Sequence, residues 1–339
     1  MHPSILPMPP QKSKINGSDA HKHADAKVPS SEQAQDSTKK QQSKDLATKS
    51  NDDGTSSKKR KADTKTRPNK APRRSARSGA NATPDPVNVL KYLLSPSSLD
   101  FCRPKDEIED LKTRCQNTRT YSTSYFTPFE ELICATILSR PIGHMLGLRS
   151  IRTIFNPPYD FITPKKIREA GNEGCRKALD KARTQHRQKT AEELVLLADA
   201  VVECLGTDED DVSLDRVREE SDHDTTRERA MLKKHVKGLG KTGLDIFGRR
   251  IQAVWPELYP FIDEKTSTAV QRLGLPGSAD SLKELMENHR KELEMEDIVA
   301  QDAEEKKRKA FVRILERAVG ADLEHNIESI KGEVAKNYS

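Results

Sequence analysis

One short segment groups glycine, lysine and threonine residues in a pattern that suits the binding of an anion. The segment reads Val236-Lys-Gly-Leu-Gly-Lys-Thr-Gly243, and apolar residues at helical spacing lie on both sides of it. Gly238 and Gly240 permit a tight turn whose backbone can approach another backbone closely. A helix that starts after such a turn directs free N–H groups and its positive dipole end outward, and Lys237 and Lys241 add charge. The pattern predicts a phosphate-binding hairpin; an ordinary turn between two core helices is the alternative.

The elements that must position this hairpin are predicted to be helices. From about Pro84 onward apolar residues recur at helical spacing, and no alternating apolar run is long enough for a sheet. Thr127-Pro128 is a helix start with Pro at the first helical position. The residues that would form one buried face of this helix are Phe129, Leu132, Ile133, Thr136 and Ile137. The sequence therefore predicts an all-α domain.

Further helix boundaries can be predicted from capping residues. Thr163-Pro164 is a second start, with Gly171 as a stop. The pairs Thr190/Glu193 and Ser281/Glu284 each have the spacing of a capping box. The acidic stretch 207–224 is predicted to contain a loop and a short helix near residues 214–219.

The C-terminal part is highly charged between residues 287 and 309 and then becomes amphipathic. Its apolar stripe consists of Phe311, Ile314, Leu315 and Ala318. This stripe predicts either a helix that docks on the core or a free amphipathic helix. The pattern alone does not decide between them.

The N-terminal tail differs sharply in composition from the rest of the chain. Residues 1–80 contain no Phe, Trp or Tyr and hold 18 Lys and Arg against 8 Asp and Glu, a net charge of +10. The other 259 residues hold 41 against 45, a net charge of −4. Such a tail buries too little apolar surface to offset the entropy of ordering, so the sequence predicts disorder over residues 1–82.

A dense basic cluster within the tail predicts a nuclear localisation signal read by an import receptor. The residues that would form it are Lys58, Lys59, Arg60, Lys61, Arg73 and Arg74. A solvated charge run without a receptor is the alternative. No apolar run approaches the roughly 18 residues of a membrane helix, so we expect no membrane partner.

The cysteines and histidines suggest neither a disulfide framework nor a metal centre. The five cysteines are scattered, with no pair at CxxC spacing, which predicts buried or incidental thiols in a reducing compartment. His144, His186, His223 and His235 have no acidic neighbour at a ligand spacing in the sequence. We therefore expect no metal and no cofactor.

Taken together, these segments resemble the helix-hairpin-helix (HhH-GPD) superfamily of base-excision DNA glycosylases, which includes endonuclease III and the adenine and thymine mismatch glycosylases. The resemblance covers roughly residues 125–276. It rests on Thr127–Ser139, which is similar to the family's opening helix, on the hairpin, and on Phe261-Ile-Asp-Glu-Lys265. It implies contacts to duplex DNA from Lys237, Gly238, Leu239, Gly240, Lys241, Thr242 and Gly243.

The resemblance also implies a catalytic residue, because Asp263 matches the family's aspartate after the second hairpin helix. In the family this carboxylate helps to activate water and stabilises the positive charge that develops on the deoxyribose as the glycosidic bond breaks. A role as the N-cap of the next helix is the alternative, and both roles can coexist.

Departures from the family pattern refine the expected activity. Bifunctional members carry a Schiff-base lysine where this chain has Thr242, so we expect a monofunctional enzyme, with Thr242 as an N-cap and Lys241 turned away from the pocket. No Cys follows Cys204, so no iron–sulfur cluster is expected. Arg140-Pro141-Ile142 stands where members often place a Gln that fills the gap left by a flipped base, and Leu244 replaces a small residue.

The sequence thus predicts a nuclear, monomeric base-excision protein that hydrolyses the N-glycosidic bond of a damaged or mispaired base. Its predicted organisation is a basic tail (1–82), a glycosylase-like helical domain (83–290) and a charged helical extension (291–339). A catalytically inactive DNA-binding or repair scaffold protein is the alternative function.

Overall fold

The computed structural model describes residues 84–113 and 117–338, which belong to one unit spanning residues 76–339. Within these two ranges the chain forms helices and no strand, which confirms the predicted all-α class. None of these helices is long and apolar enough to cross a membrane. The basic tail, including Lys58, Lys59, Arg60, Lys61, Arg73 and Arg74, lies outside the described residues, as does Cys115.

The α-helices of the described ranges follow one another with short connections. They are α1 (Pro86–Leu94), α2 (Leu99–Cys102), α3 (Lys105–Thr113), α4 (Pro128–Leu138), α5 (His144–Ile154), α6 (Pro164–Lys181), α7 (Arg187–Ala200), α8 (Asp215–Glu220), α9 (Thr225–His235), α10 (Lys241–Ile251), α11 (Glu264–Arg272), α12 (Ala279–Asn288), α13 (Ala303–Leu323) and α14 (Ile327–Asn337).

The first of two apolar clusters is built around α4 and α10, which pack against each other. Helix α4 starts as predicted, because Thr127 and Glu130 form a reciprocal capping box. Its predicted apolar face is almost entirely inaccessible to solvent. The helix that carries the end of the hairpin, α10, buries Leu244 and Phe247 in the same cluster.

The second apolar cluster joins both ends of the described chain. Helices α1 and α2 supply one side, and α11 to α14 supply the other. Phe311, Ile314, Leu315 and Ala318 of α13 are fully buried, so this helix docks on the core and is not a free amphipathic helix. The boundary predicted at residue 290 falls inside this cluster, and residues beyond it complete the same core.

Several predicted helix boundaries need correction. Gly171 adopts a left-handed φ of 59°, but the helix resumes after it and α6 ends at Lys181. Thr190 is not an N-cap, since α7 begins at Arg187 and the Thr190 hydroxyl donates back to the His186 carbonyl at 3.0 Å. The late cap is Ser278 rather than Ser281, and it accepts a hydrogen bond from the Ser281 N–H at 3.2 Å.

Candidate functional site

The predicted hairpin joins two helices through a five-residue turn, between the end of α9 at His235 and the start of α10 at Lys241. Gly238 has a φ of 85°, which L side chains rarely adopt, and an added Cβ would lie 3.1 Å from the Glu193 carboxylate. Glycine is therefore required there. Val236 and Leu239 are only 2% and 3% exposed, so the turn is anchored on the first core.

The outer surface of the hairpin is positively charged. Lys233 and Lys234 at the end of α9, Lys237 in the turn and Lys241 at the start of α10 are all exposed. Gly240 caps α10 without a side chain, and the N–H groups of a first helical turn have no partner within the helix. Lysines beside outward-directed N–H groups suit a phosphate oxygen.

The seven residues predicted to contact DNA divide into an exposed and a buried group. Leu239 and Gly243 are buried and support the turn. An added Cβ on Gly243 would lie 2.6 Å from the Leu239 side chain, so the two residues pack closely. The residues available to a ligand are Lys237, Gly238, Gly240, Lys241 and Thr242.

Two expectations about the start of α10 are wrong. The N-cap is Gly240 and not Thr242, which is the second residue of the helix. Lys241 and Thr242 both line one cavity, although a helical rotation of about 100° was expected to separate them. The expectation neglected the length of the lysine side chain, which can bend around the helix end. Its Nζ lies 2.9 Å from the Asp245 carboxylate.

The cavity lies between the two apolar clusters and has a volume of about 490 Å³. The start of α10 forms one wall, and Asp263 and Lys265 form the next. Glu316 of α13 and Leu138 at the end of α4 also line it. The hairpin and the predicted catalytic carboxylate, about twenty residues apart in sequence, thus share one concave site of ordinary ligand-binding size.

Asp263 occupies this site as both a helix cap and a buried charge. Its side chain caps α11 by accepting from the Thr266 N–H at 3.1 Å, and it also accepts from the Thr266 hydroxyl at 2.5 Å. Only 8% of the residue is exposed. Burial alone would raise the pKa of Asp263, but the Arg249 guanidinium and the Thr266 donors outweigh burial and lower it. The group is therefore an ionised carboxylate at neutral pH.

Arg249 links Asp263 to a second carboxylate in the cavity. Its Nη1 donates to Asp263 at 3.0 Å and its Nε donates to Glu316 at 2.6 Å. Burial would lower the pKa of Arg249, but the two carboxylates and Tyr121 raise it, so the guanidinium stays charged. The two negative charges therefore share one buried positive charge.

The loop after α4 contributes Ile142, Gly143 and His144 to the cavity. Arg140, which stands at the position of the family's gap-filling Gln, forms an ion pair with Glu193 and lies outside the cavity lining. The His144 Nδ1 is 2.7 Å from the Glu324 carboxylate. Ile142 and His144 are therefore the side chains of this loop that are placed to meet a ligand.

Sequence reasoning missed Glu316, Ile142 and His144 as cavity residues. Glu316 lies in a helix whose charged residues suggested a solvent-facing surface, and its partner Arg249 is 67 positions away. His144 has no acidic residue nearby in sequence because its partner Glu324 is 180 positions away. Only a contact map could have revealed these pairs.

Comparison of the chain with protein-family models, curated proteins and solved structures found no match to any of them. The functional argument therefore depends on the geometry of the cavity and of the hairpin.

Proposed function

We propose that this protein binds duplex DNA through the hairpin and hydrolyses the N-glycosidic bond of a damaged or mispaired base. The observation that carries the proposal is the shared cavity, which is lined both by the start of α10 and by the buried carboxylate of Asp263. A phosphate held on the hairpin would place the adjoining sugar near this cavity. A nucleotide flipped from the helix could then enter it.

In this proposal Asp263 acts mainly through its charge. As the bond between C1′ and the base breaks, positive charge develops on the deoxyribose, and a fixed carboxylate stabilises it. Water adds to C1′, and the base leaves with a proton. The lowered pKa of Asp263 makes its carboxylate a weak proton acceptor. This environment therefore favours electrostatic stabilisation over general-base catalysis.

The second candidate is a DNA-binding protein without catalytic activity. It is favoured by the engagement of Asp263, which accepts from the Thr266 N–H, the Thr266 hydroxyl and Arg249. Those bonds leave little capacity on Oδ2, although Oδ1 accepts from the Thr266 N–H alone among the described residues. The two candidates share the hairpin and differ in whether any base is released.

For the whole chain we propose a nuclear location and a monomeric state. The basic cluster of the tail supports recognition by an import receptor. A tail with a net charge of +10 would also add nonspecific affinity for DNA.

Base release without strand cleavage is the expected activity. We expect incubation with a panel of lesion-bearing duplexes to give abasic sites that become breaks only after alkali. Thr242 occupies the lysine position of bifunctional members, and the Asp245 carboxylate raises the pKa of Lys241, so its amine is protonated and a poor nucleophile. Borohydride trapping of a covalent protein–DNA adduct would contradict this reading, and Lys241→Gln would then identify the amine.

The salt dependence of DNA binding tests the hairpin separately from catalysis. We expect Lys237→Gln and Lys241→Gln each to reduce the slope of log K against log salt concentration by about 0.9, because each lysine neutralises about one phosphate. Fluorescence anisotropy with the full-length chain measures the slope.

Lys336→Gln is the matched control for this measurement. Lys336 is exposed and paired with Glu333 at 2.7 Å, much as Lys241 is paired with Asp245, but it lies on α14 and does not line the cavity. If the hairpin variants keep the wild-type slope, the hairpin is an ordinary turn between helices.

A further inference from the structure

A second group of ionisable side chains is built around the base of the hairpin helices and does not line the cavity. His223 precedes α9, Glu228 lies in the first turn of that helix, and Glu257 lies in the short turn Pro256–Leu258 that follows α10. One imidazole nitrogen and one oxygen from each carboxylate all lie within 4.8 Å of one another. Three separate segments thus direct potential ligand atoms at a single point.

Glu228 shows that this group lacks a component. The residue is only 1% exposed, and among the described residues neither of its carboxylate oxygens has a hydrogen-bond partner. A buried charge without a partner is strongly unfavourable. Burial and the neighbouring Glu257 carboxylate raise the pKa of Glu228 to about 7. Either a proton or a cation must therefore compensate this pair of carboxylates.

We propose that His223, Glu228 and Glu257 bind one divalent transition-metal ion of the zinc type. Imidazole nitrogen and carboxylate oxygen are both ligands that zinc takes, and water completes the coordination of a site with three protein ligands. The His223 side chain is 54% exposed, so the site is open to solvent on that side.

Arg218 orients one ligand of the proposed site. Its Nε and Nη2 donate to the two Glu257 oxygens at 2.6 and 3.0 Å, which fixes the carboxylate in place. A carboxylate oxygen has a further lone pair for a metal, and the His223 Nδ1 already lies 3.5 Å from Oε1 of Glu257. A bound ion would tie the segment before α9 to the segment after α10. It would therefore brace both helices of the hairpin without taking part in chemistry at the cavity.

Zinc binding by the full-length chain tests this site directly. After treatment with a chelator and dialysis, wild type should bind one more equivalent of Zn²⁺ in equilibrium dialysis than Glu228→Gln or His223→Ala. Histidines elsewhere in the chain are common to all three proteins and cancel in the difference. At a hundredfold excess over the dissociation constant, Zn²⁺ should raise the wild-type Tm by on the order of 5 °C.

His325→Ala is the matched control for the exposed ligand. His325 is exposed like His223 and has a φ of 58° against 56° for His223, so both substitutions impose the same backbone strain. The control should bind as much zinc as wild type. Equal zinc binding by wild type and by both Glu228→Gln and His223→Ala would overturn the proposal. A wild-type Tm that responds to acid but not to zinc would also overturn it, because the two carboxyl groups would then share a proton.

Discussion

Replacing Asp263 with asparagine is expected to lower the rate of base excision by at least about a hundredfold on a duplex that wild type cleaves. The carboxylate supplies a fixed negative charge beside the cavity, and the loss of one preorganised electrostatic partner costs about 3 kcal/mol of transition-state stabilisation. DNA affinity should persist, because the proposed phosphate contacts lie on the hairpin. Single-turnover excision at neutral pH, with protein in excess over DNA, measures the effect.

The substitution also changes contacts within the fold, so its thermal unfolding must be measured alongside. An asparagine oxygen can still accept from the Thr266 N–H, but its NH₂ group would face the Arg249 donor that now lies 3.0 Å from the carboxylate. Arg249 retains its bond to Glu316. The variant should therefore fold at the assay temperature with a lowered Tm.

Asp302→Asn is the control for the loss of a capping carboxylate. Asp302 caps α13 by accepting from the Glu304 and Glu305 N–H groups, each at 2.8 Å, and it does not line the cavity. Excision by this variant should match wild type. If Asp263→Asn also excised at the wild-type rate, Asp263 would be a helix cap only and the proposed mechanism would be wrong.

Local signals in the sequence predicted the parts of the site that depend on short-range structure. Thr127, Pro128 and Glu130 satisfy one another within a single helical turn, so the start of α4 could be predicted without knowledge of the fold. The same is true of the hairpin, because the left-handed Gly238 and the buried Val236 and Leu239 are determined by the turn itself. Local consistency of this kind is what makes a pattern predictive.

Capping residues were misplaced where tertiary contacts used the same side chains. Glu193 has the spacing of a capping box with Thr190, but its carboxylate pairs with Arg140, which comes from a different part of the chain. Ser281 looked like a cap because it lies three residues before Glu284. Ser278, which directly follows Gly277, begins the helix instead. Several Ser and Thr residues compete for each helix start, and sequence alone does not rank them.

The electrostatic environment of Asp263 was beyond sequence reasoning for a different reason. Helix periodicity predicts which residues share a face, but Arg249 and Arg250 are adjacent and both are buried. They lie in opposite electrostatic networks, since Arg249 bonds to Asp263 and Glu316 while Arg250 bonds to Glu131. Polar residues in a helix normally predict a solvated face, and here the pattern fails because each arginine meets its own buried carboxylate.

Replacing Arg250 with methionine is expected to destabilise the fold by about 3–5 kcal/mol, because it leaves the Glu131 carboxylate buried without its charged partner. Arg250 donates to Glu131 at 2.8 Å and to the Ser124 carbonyl at 2.7 Å, and its guanidinium lies over the Tyr121 ring at 4.4 Å from the centroid. These contacts join α10 to α4 and so hold the hairpin helix beside the cavity. Urea denaturation at neutral pH measures the loss.

The pH dependence and a matched exposed pair separate an orphaned charge from a loss of packing. Burial raises the pKa of Glu131 in the fold, against the opposing effect of Arg250, and removing Arg250 should raise it further. The folded variant would then hold a proton at Glu131 more tightly than the unfolded chain, so the destabilisation should shrink as the pH is lowered. The same change in Arg216, whose pair with Glu220 is exposed, should cost about 0.5 kcal/mol or less. A comparable cost at both arginines, unaffected by pH, would mean that the buried pair adds nothing beyond packing.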